Sequence, residues 1–206
     1  MKVLLINGSP KKEGCTFTAL SEVAKALNEE GIETEIFHVG NKPIAGCMGC
    51  GACKKTGKCK FDDTVNECIP KAKEADGIIV GSPVHYASAS GMITSFMDRL
   101  FFSSGADLQY KPAAVVASAR RAGTTATLDQ LSKHFSYSNM PLINSCYWNM
   151  VHGNTPEEVL QDLEGLQIMR TLGRNMAWIL KSIEAGKKAG VEMPVKEDKI
   201  KTNYIR

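Results

Sequence analysis

Short apolar runs recur along the chain and predict β-strands. Val3–Ile6, Gly77–Gly81 and Ala113–Ala119 are almost wholly apolar, as strands covered on both faces are. Ile32–Val39 alternates apolar and polar residues, which indicates a half-buried strand. Pro141–Ile143 predicts the start of a short last strand.

The segments between these strands carry apolar residues at helical spacing. They predict helices over Thr18–Glu30, Asp62–Ala75, Gly91–Phe102, Thr124–Phe135 and Pro156–Ala185. Gly40–Phe61 has no period and is rich in Cys, Gly and Lys, which predicts a long functional loop.

Strands and helices alternate five times, which predicts an α/β fold with a five-stranded parallel sheet and helices on both faces. Right-handed crossovers favour the strand order 2-1-3-4-5, with the loops after strands 1, 3 and 4 at one edge. We predict one domain over residues 1–190, with the Cys-rich loop 42–61 inserted. Residues 191–206 form either an arm that packs on a partner or a loose tail.

Composition narrows the classes of function. A net charge of +3, with no stripe of basic residues, argues against nucleic acid as a partner. The apolar run of Met1–Ile6 is too short for a signal peptide, and no apolar stretch is long enough to span a bilayer. We therefore expect a cytoplasmic protein that has no membrane partner.

The loop from Gly8 to Thr18 follows the first strand and leads into a helix, where free N–H groups and the helix dipole favour a phosphate. Ser9, Thr16 and Thr18 add hydroxyl donors, and Lys11 adds charge. The loop has neither a GK[ST] ending nor a G-x-G-x-x-G pattern. The alternative is an ordinary turn with a threonine as the helix cap.

Four of the seven cysteines lie close together, with spacings of x2, x2 and x5: Cys47, Cys50, Cys53 and Cys59. In a cytosolic chain this pattern indicates a metal or redox site, because disulfides are rare there. Two successive x2 gaps are typical of ferredoxin-type loops, whereas structural zinc prefers two separated C-x2-C pairs. A [4Fe–4S] cluster is therefore favoured, with free thiols and zinc as alternatives.

Four motifs in this order resemble a known family. GSPKKEGCT after strand 1, GSPVHY after strand 3, the Gly91…Asp98-Arg99 segment and the cysteine loop look like NAD(P)H-dependent FMN reductases. Within that family, they are most similar to the iron–sulfur flavoproteins of anaerobes. The resemblance covers Met1 to about Gly153. It implies a flavodoxin-like three-layer fold, bound FMN, a nicotinamide co-substrate and a homodimer or homotetramer.

The resemblance also implies which residues bind the cofactor. The FMN phosphate loop corresponds to Ser9, Lys11, Thr16, Phe17 and Thr18. The loop along the flavin ring corresponds to Pro83, Val84, His85 and Tyr86, and the loop at the ring's other end to Ser118, Ala119 and Arg120.

Some positions depart from the family pattern. Cys15 stands where many relatives have Asn, and Arg120-Arg121 stands where the loop is often Gly-rich. One of these arginines is a candidate for the NAD(P)H phosphate. Trp148 lies in a segment that simpler reductases lack, and it either packs in an interface or covers a flavin.

The expected function is an FMN-dependent oxidoreductase that passes electrons from NAD(P)H to an unknown acceptor. The cysteine loop follows strand 2, so we expect it at the same sheet edge as the flavin, where a cluster would serve as a one-electron port. No side chain is assigned acid–base work, because hydride transfer to a flavin needs none. Two alternatives are a ferredoxin-linked electron-transfer flavoprotein without a nicotinamide site and a metal-binding redox sensor.

Overall fold

The computed structural model describes residues 1–195, 197, 198, 200, 202 and 204. Its strands are β1 (Lys2–Asn7), β2 (Glu33–His38), β3 (Gly77–His85), β4 (Ser88–Ala89), β5 (Ala113–Ala119) and β6 (Met150–His152). Its helices are α1 (Cys15–Glu29), α2 (Cys53–Thr56), α3 (Thr64–Glu74), α4 (Gly91–Ser104), α5 (Thr124–Tyr137), α6 (Pro156–Val159) and α7 (Leu163–Lys188).

The strands form a parallel sheet in the order β2-β1-β3-β5-β6, which matches the predicted 2-1-3-4-5 order. Leu4 of β1 pairs with Glu35 on one side and with Ile78 on the other, so β1 lies inside the sheet. The sixth strand, β4, pairs antiparallel with the end of β3 and was not predicted. Tyr86 and Ala87 form the turn of this hairpin with positive φ angles of 51° and 58°, the conformation of a tight two-residue turn.

The predicted last strand is wrong in position. Leu142 makes only an isolated bridge to Ala113, and the chain then leaves the sheet and returns as β6. The Asn149 side chain holds this excursion, because its amide oxygen accepts from Ser145 N and its amide nitrogen donates to Ile143 O.

Helix boundaries also differ from the prediction. α1 begins at Cys15, earlier than expected, and α2 lies within the predicted loop. The expected helix Pro156–Ala185 is two helices, because Thr155 caps α6 and Asp162 caps α7 through separate side-chain hydrogen bonds. No helix in the described part of the chain is long and apolar enough to cross a membrane.

The predicted C-terminal arm lies partly outside the described residues, which omit 196, 199, 201, 203, 205 and 206. Its described large apolar residues are all exposed: Val191, Met193, Val195, Ile200 and Tyr204. Its packing on a partner stays a prediction, as does the division of the chain at residue 190.

Two apolar cores lie on the opposite faces of the sheet. α1 and α7 cover one face, while α3, α4 and α5 cover the other. α1 and α7 approach closely at Gly173, where a Cβ atom would lie 2.8 Å from both the Val23 carbonyl oxygen and the Ala26 methyl. The neighbouring helix backbone leaves no room for a side chain at this position.

We expect Gly173→Ala to lower the free energy of unfolding by about 1–3 kcal/mol, because the methyl overpacks the α1–α7 contact. Gly186→Ala, in the same helix, is the matched control. Its Cβ would meet Val191 at an ordinary 3.7 Å, so the gain of up to about 1 kcal/mol from helix propensity remains. Urea unfolding measures both changes, and equal effects would contradict the packing argument.

Candidate functional site

The loops that follow β1 and β3 are tied together at the carboxyl edge of the sheet. Gly8 N donates to Gly81 O at 2.9 Å. The buried Ser90 hydroxyl donates to Gly8 O at 3.1 Å, and Ser90 N donates to the Ser82 hydroxyl at 3.1 Å. A Cβ at Gly8 would lie 2.6 Å from Ile93, so only glycine allows this approach.

Two residues that do not stand out in the sequence, Asn7 and His38, hold the loop that follows β1. Buried Asn7 accepts from Ser9 N at 3.1 Å and donates to Lys12 O at 3.0 Å. His38 Nε2 lies 2.8 Å from Ser9 O, so this nitrogen carries the proton and donates. Neither residue belongs to a recognisable motif, since Asn7 and His38 are the last residues of β1 and β2.

Two long helices begin at this edge without a side-chain cap. α1 starts after Gly14 and α5 after Gly123, and within residues 1–195 no side chain caps either helix. In contrast, side chains cap α3, α4, α6 and α7: Asp63, Ser90, Thr155 and Asp162. The first N–H groups of α1 and α5 therefore stay available to a bound anion.

Thr16 and Ser118 connect α1 to the end of β5. Their hydroxyls lie 2.8 Å apart, and both residues are buried. The structure thus brings together two residues predicted to bind the cofactor phosphate and ring. One of the two hydroxyls donates to the other, so one hydroxyl hydrogen and the backbone N–H groups remain as donors for a ligand here.

The other predicted cofactor residues lie on the same three loops but differ in exposure. Ser9 and Ala119 are buried; Phe17, Thr18, Pro83 and Val84 are half-buried; and Lys11, His85, Tyr86 and Arg120 are exposed. The Ser9 hydroxyl accepts from Lys11 N at 3.1 Å, which shapes the turn. The β3–β4 hairpin lies against the start of α5, where a Cβ at Gly123 would come within 2.5 Å of Ala87.

The four clustered cysteines line one pocket together with Met48, Phe61, Arg99 and Phe102. Cys47 and Cys50 are exposed, Cys59 is half-buried and Cys53 is buried. Burial raises the pKa of the Cys53 thiol, and its three cysteine neighbours add to the rise. In the described part of the chain, no three His, Cys, Asp or Glu side chains converge on a single metal ion.

Arg99, on α4, crosses the floor of this cysteine pocket and is buried. Its Nε donates to Cys59 Sγ at 3.2 Å, and its two terminal nitrogens bind Asp63 at 2.7 and 2.8 Å. They also donate to Ala45 O and Phe61 O. Burial lowers the pKa of Arg99, but the hydrogen bonds to Asp63 and Cys59 outweigh it and the net direction is upward.

Asn66, on α3, fixes the backbone of Cys59. Its side-chain oxygen accepts from Cys59 N at 2.8 Å, and its side-chain nitrogen donates to Cys59 O and Phe61 O, both at 3.0 Å. One asparagine therefore holds Cys59 from both sides. Asn66 does not stand out in the sequence, because its role depends on a loop that only the fold brings to it.

The cysteine pocket does not lie at the edge where the sequence analysis expected it. The loop runs back along α4, with Gly46 beside Ser95, and reaches Arg99 and Phe102 near the far end of that helix. At 1.5 Å per residue, Arg99 is about 13 Å along the helix from Ser90. The pocket and the loop edge are thus at opposite ends of one rigid element.

Known proteins share both the fold and the motifs. The family model for NADPH-dependent FMN reductase matches residues 1–155. An iron–sulfur flavoprotein of Methanocaldococcus jannaschii is 36% identical over 192 residues, which span 89% of this chain and 100% of the relative. One of Methanosarcina thermophila is 29% identical and spans 89% and 97%. A flavodoxin structure from the domain Archaea is 16% identical with a TM-score of 0.59, covers 88% of this chain and 99% of that one, and confirms the flavodoxin-like fold.

A double-mutant cycle tests the contact between Thr16 and Ser118. We expect Thr16→Val and Ser118→Ala each to lower the free energy of unfolding by about 1–3 kcal/mol, because each leaves the other hydroxyl buried without its partner. The double variant should cost less than the sum of the two by about 1 kcal/mol. Urea unfolding of FMN-free protein measures the cycle, and strictly additive costs would contradict the contact.

Proposed function

Because this chain belongs to the NADPH-dependent FMN reductase family, we propose that it oxidises NAD(P)H with FMN as its bound cofactor. We further propose that a [4Fe–4S] cluster on the four cysteines is the outlet for single electrons. The similarity to proteins named iron–sulfur flavoproteins supports an iron–sulfur group in this chain. The family, and with it an FMN-dependent oxidoreductase, is established by the match; the electron donor, the cluster and the acceptor are the proposal.

The observation that carries the FMN site is the pair of uncapped helix starts at one edge. The α1 start offers N–H groups and a positive dipole end to the phosphate. Lys11, exposed beside it, adds charge, while Ser9 and the buried Asn7 hold the loop in shape. Thr18 is half-buried in the first turn, with Phe17 next to it.

The flavin ring is assigned to the loops Pro83–Tyr86 and Ser118–Arg120, which flank the start of α5. That helix start favours negative charge at the pyrimidine end of the ring, and so favours the reduced cofactor. When bound, FMN supplies the exchange between a two-electron donor and one-electron acceptors. His85 and Tyr86 are exposed beside this slot, where they can cover the ring.

The donor set of the cysteine pocket fits an iron–sulfur cluster. Four thiols line this one pocket. Each cysteine of a [4Fe–4S] cluster binds a different iron, and two successive x2 gaps are typical of ferredoxin-type loops, whereas structural zinc prefers two separated C-x2-C pairs. Cys47, Cys50, Cys53 and Cys59 would hold the cluster, which would supply one-electron transfer.

The surface around the pocket suits an acidic redox partner such as a ferredoxin. No Asp or Glu occurs between Glu35 and Asp62, whereas this stretch carries five lysines. Cys47 and Cys50 are exposed among these charges, together with Met48. Complementary charge would steer an acidic protein to this end of α4.

The exposed pair Arg120-Arg121 supports the nicotinamide assignment, because it lies at the end of the loop assigned to the flavin ring. An arginine there can bind the phosphate that distinguishes NADPH from NADH.

We also propose a homodimer or homotetramer, with the exposed aromatic residues as part of its interface. Tyr147 and Trp148 are exposed and stack edge to face, and Trp178 is exposed on α7.

Thr18→Glu tests the phosphate site, and Thr18→Gln is its uncharged control. We expect the glutamate to weaken FMN binding by roughly tenfold or more relative to the glutamine, because two negative charges then share the helix start. Riboflavin lacks the phosphate, so its affinity should be alike in both variants. Fluorescence titration of the apoprotein measures the affinities, and an equal loss for both ligands would place the phosphate elsewhere.

Anaerobic preparation of the full chain tests the electron path. We expect iron and sulfide in equal amounts, and we expect NADPH or NADH to bleach the flavin absorption band. If neither nucleotide bleaches the flavin while reduced ferredoxin does, the nicotinamide proposal is wrong and the electron-transfer alternative holds. Zinc, or iron without sulfide, in protein never exposed to air would refute the cluster.

A further inference from the structure

Arg99 is the one charged residue that is buried among the described residues. Its guanidinium has five N–H groups. Four of them serve Asp63, Ala45 O and Phe61 O, which is enough to fasten α4 to the loop and to α3. The fifth, on Nε, is directed at the sulfur of Cys59 at 3.2 Å. The attachment of α4 to the loop and to α3 does not require this hydrogen bond between Arg99 and Cys59.

The surroundings leave the arginine charge only partly balanced. Asp63 is its one salt-bridge partner in the described part of the chain, and that carboxylate is 32% exposed whereas the arginine side chain is fully buried. The remaining contacts are carbonyl oxygens, the Phe61 ring at 4.9 Å and a cysteine sulfur. A buried positive charge in this position is stabilised by negative charge in the cysteine pocket.

We propose that Arg99 is a positioning residue that raises the reduction potential of the cluster held by the four cysteines, and that Asp63 partly offsets it. The inference rests on the proposed cluster and adds a role for two residues that are not ligands. Arg99 acts through its hydrogen bond to Cys59 and through its charge at the pocket floor.

The physical reason is the gain of negative charge on reduction. Hydrogen bonds to the cysteine sulfurs and net charge near the cluster are among the factors that set the potential of an iron–sulfur site. A guanidinium that donates to a thiolate is a charge-assisted bond, which strengthens when the cluster takes up one electron. Asp63 weakens the positive electrostatic field that Arg99 exerts on the cluster, because its carboxylate binds the two terminal nitrogens of the same guanidinium.

Two substitutions at this pair should shift the potential in opposite directions. Arg99→Met removes the charge and the donor, so we expect the potential to fall. Asp63→Asn leaves the arginine charge unopposed and keeps a side-chain cap for α3, so we expect the potential to rise. In each case, the equilibrium constant for one-electron reduction should change about tenfold, which corresponds to about 59 mV.

Arg99→Lys separates the hydrogen bond from the charge, and Lys54→Gln is the control for an exposed charge near the pocket. Arg99→Lys keeps the charge but loses the planar donor, so its potential should lie between those of the wild type and Arg99→Met. Lys54 is exposed over the Phe102 ring at 5.6 Å. Its removal deletes one screened charge near the pocket, so we expect the equilibrium constant for one-electron reduction to change less than twofold.

The measurement is a dithionite titration of the anaerobic holoprotein, followed by the electron paramagnetic resonance signal of the reduced cluster. Iron and sulfide content is measured first. Wild-type protein without a cluster refutes the cluster in the proposed function and leaves NAD(P)H oxidation by FMN untouched, whereas a full cluster with an unchanged potential in Asp63→Asn overturns only the role of this pair. Opposite shifts in the two variants support it. If Arg99→Met assembles no cluster, Asp63→Asn and Arg99→Lys decide the question.

Discussion

The structure depends on one constraint: parallel strands place all of their carboxyl ends at the same edge. With β1 between β2 and β3, the loops after β1, β3 and β5 converge there, and the helices that follow them point their N-termini at the same space. α1 and α5 begin without side-chain caps in this region of the described chain. Their free N–H groups suit a bound anion, and we propose the phosphate and ring of FMN as the groups that they bind.

α4 connects the two sites of the molecule. Its first turn is capped by Ser90, which also donates to Gly8 O and so belongs to the sheet edge where we propose that the flavin binds. Its other half carries Arg99, which reaches the cysteine pocket. A helix packed against the sheet does not bend easily, so its length separates the two sites within one chain. The proposed assembly of several chains offers a shorter path for electrons, from the pocket of one protomer to the flavin edge of another.

Patterns that are local in the sequence could be predicted. The alternation of apolar runs and amphipathic segments was sufficient to predict a parallel sheet and its strand order. That order in turn predicted that the loops after β1, β3 and β5 meet at one edge. Non-local contacts could not be predicted. The position of β6 depends on Asn149, whose side chain binds Ser145 and Ile143 and so holds the loop before β6. The apolar residues Pro141–Ile143 at the start of this loop look like a strand in the sequence. Arg99 belongs to a motif of the family resemblance, but its role could not be predicted, because its partners Cys59 and Asp63 lie 40 and 36 residues away in the chain.

An anaerobic crystal structure of the full chain with FMN, with diffraction data collected at the iron absorption edge, tests both proposed sites at once. We expect the FMN phosphate at the start of α1 and the ring between Pro83–Tyr86 and Ser118–Arg120. We also expect four iron positions enclosed by Cys47, Cys50, Cys53 and Cys59, beside Arg99. A phosphate bound away from α1, or a single metal ion in the cysteine pocket, would contradict these assignments.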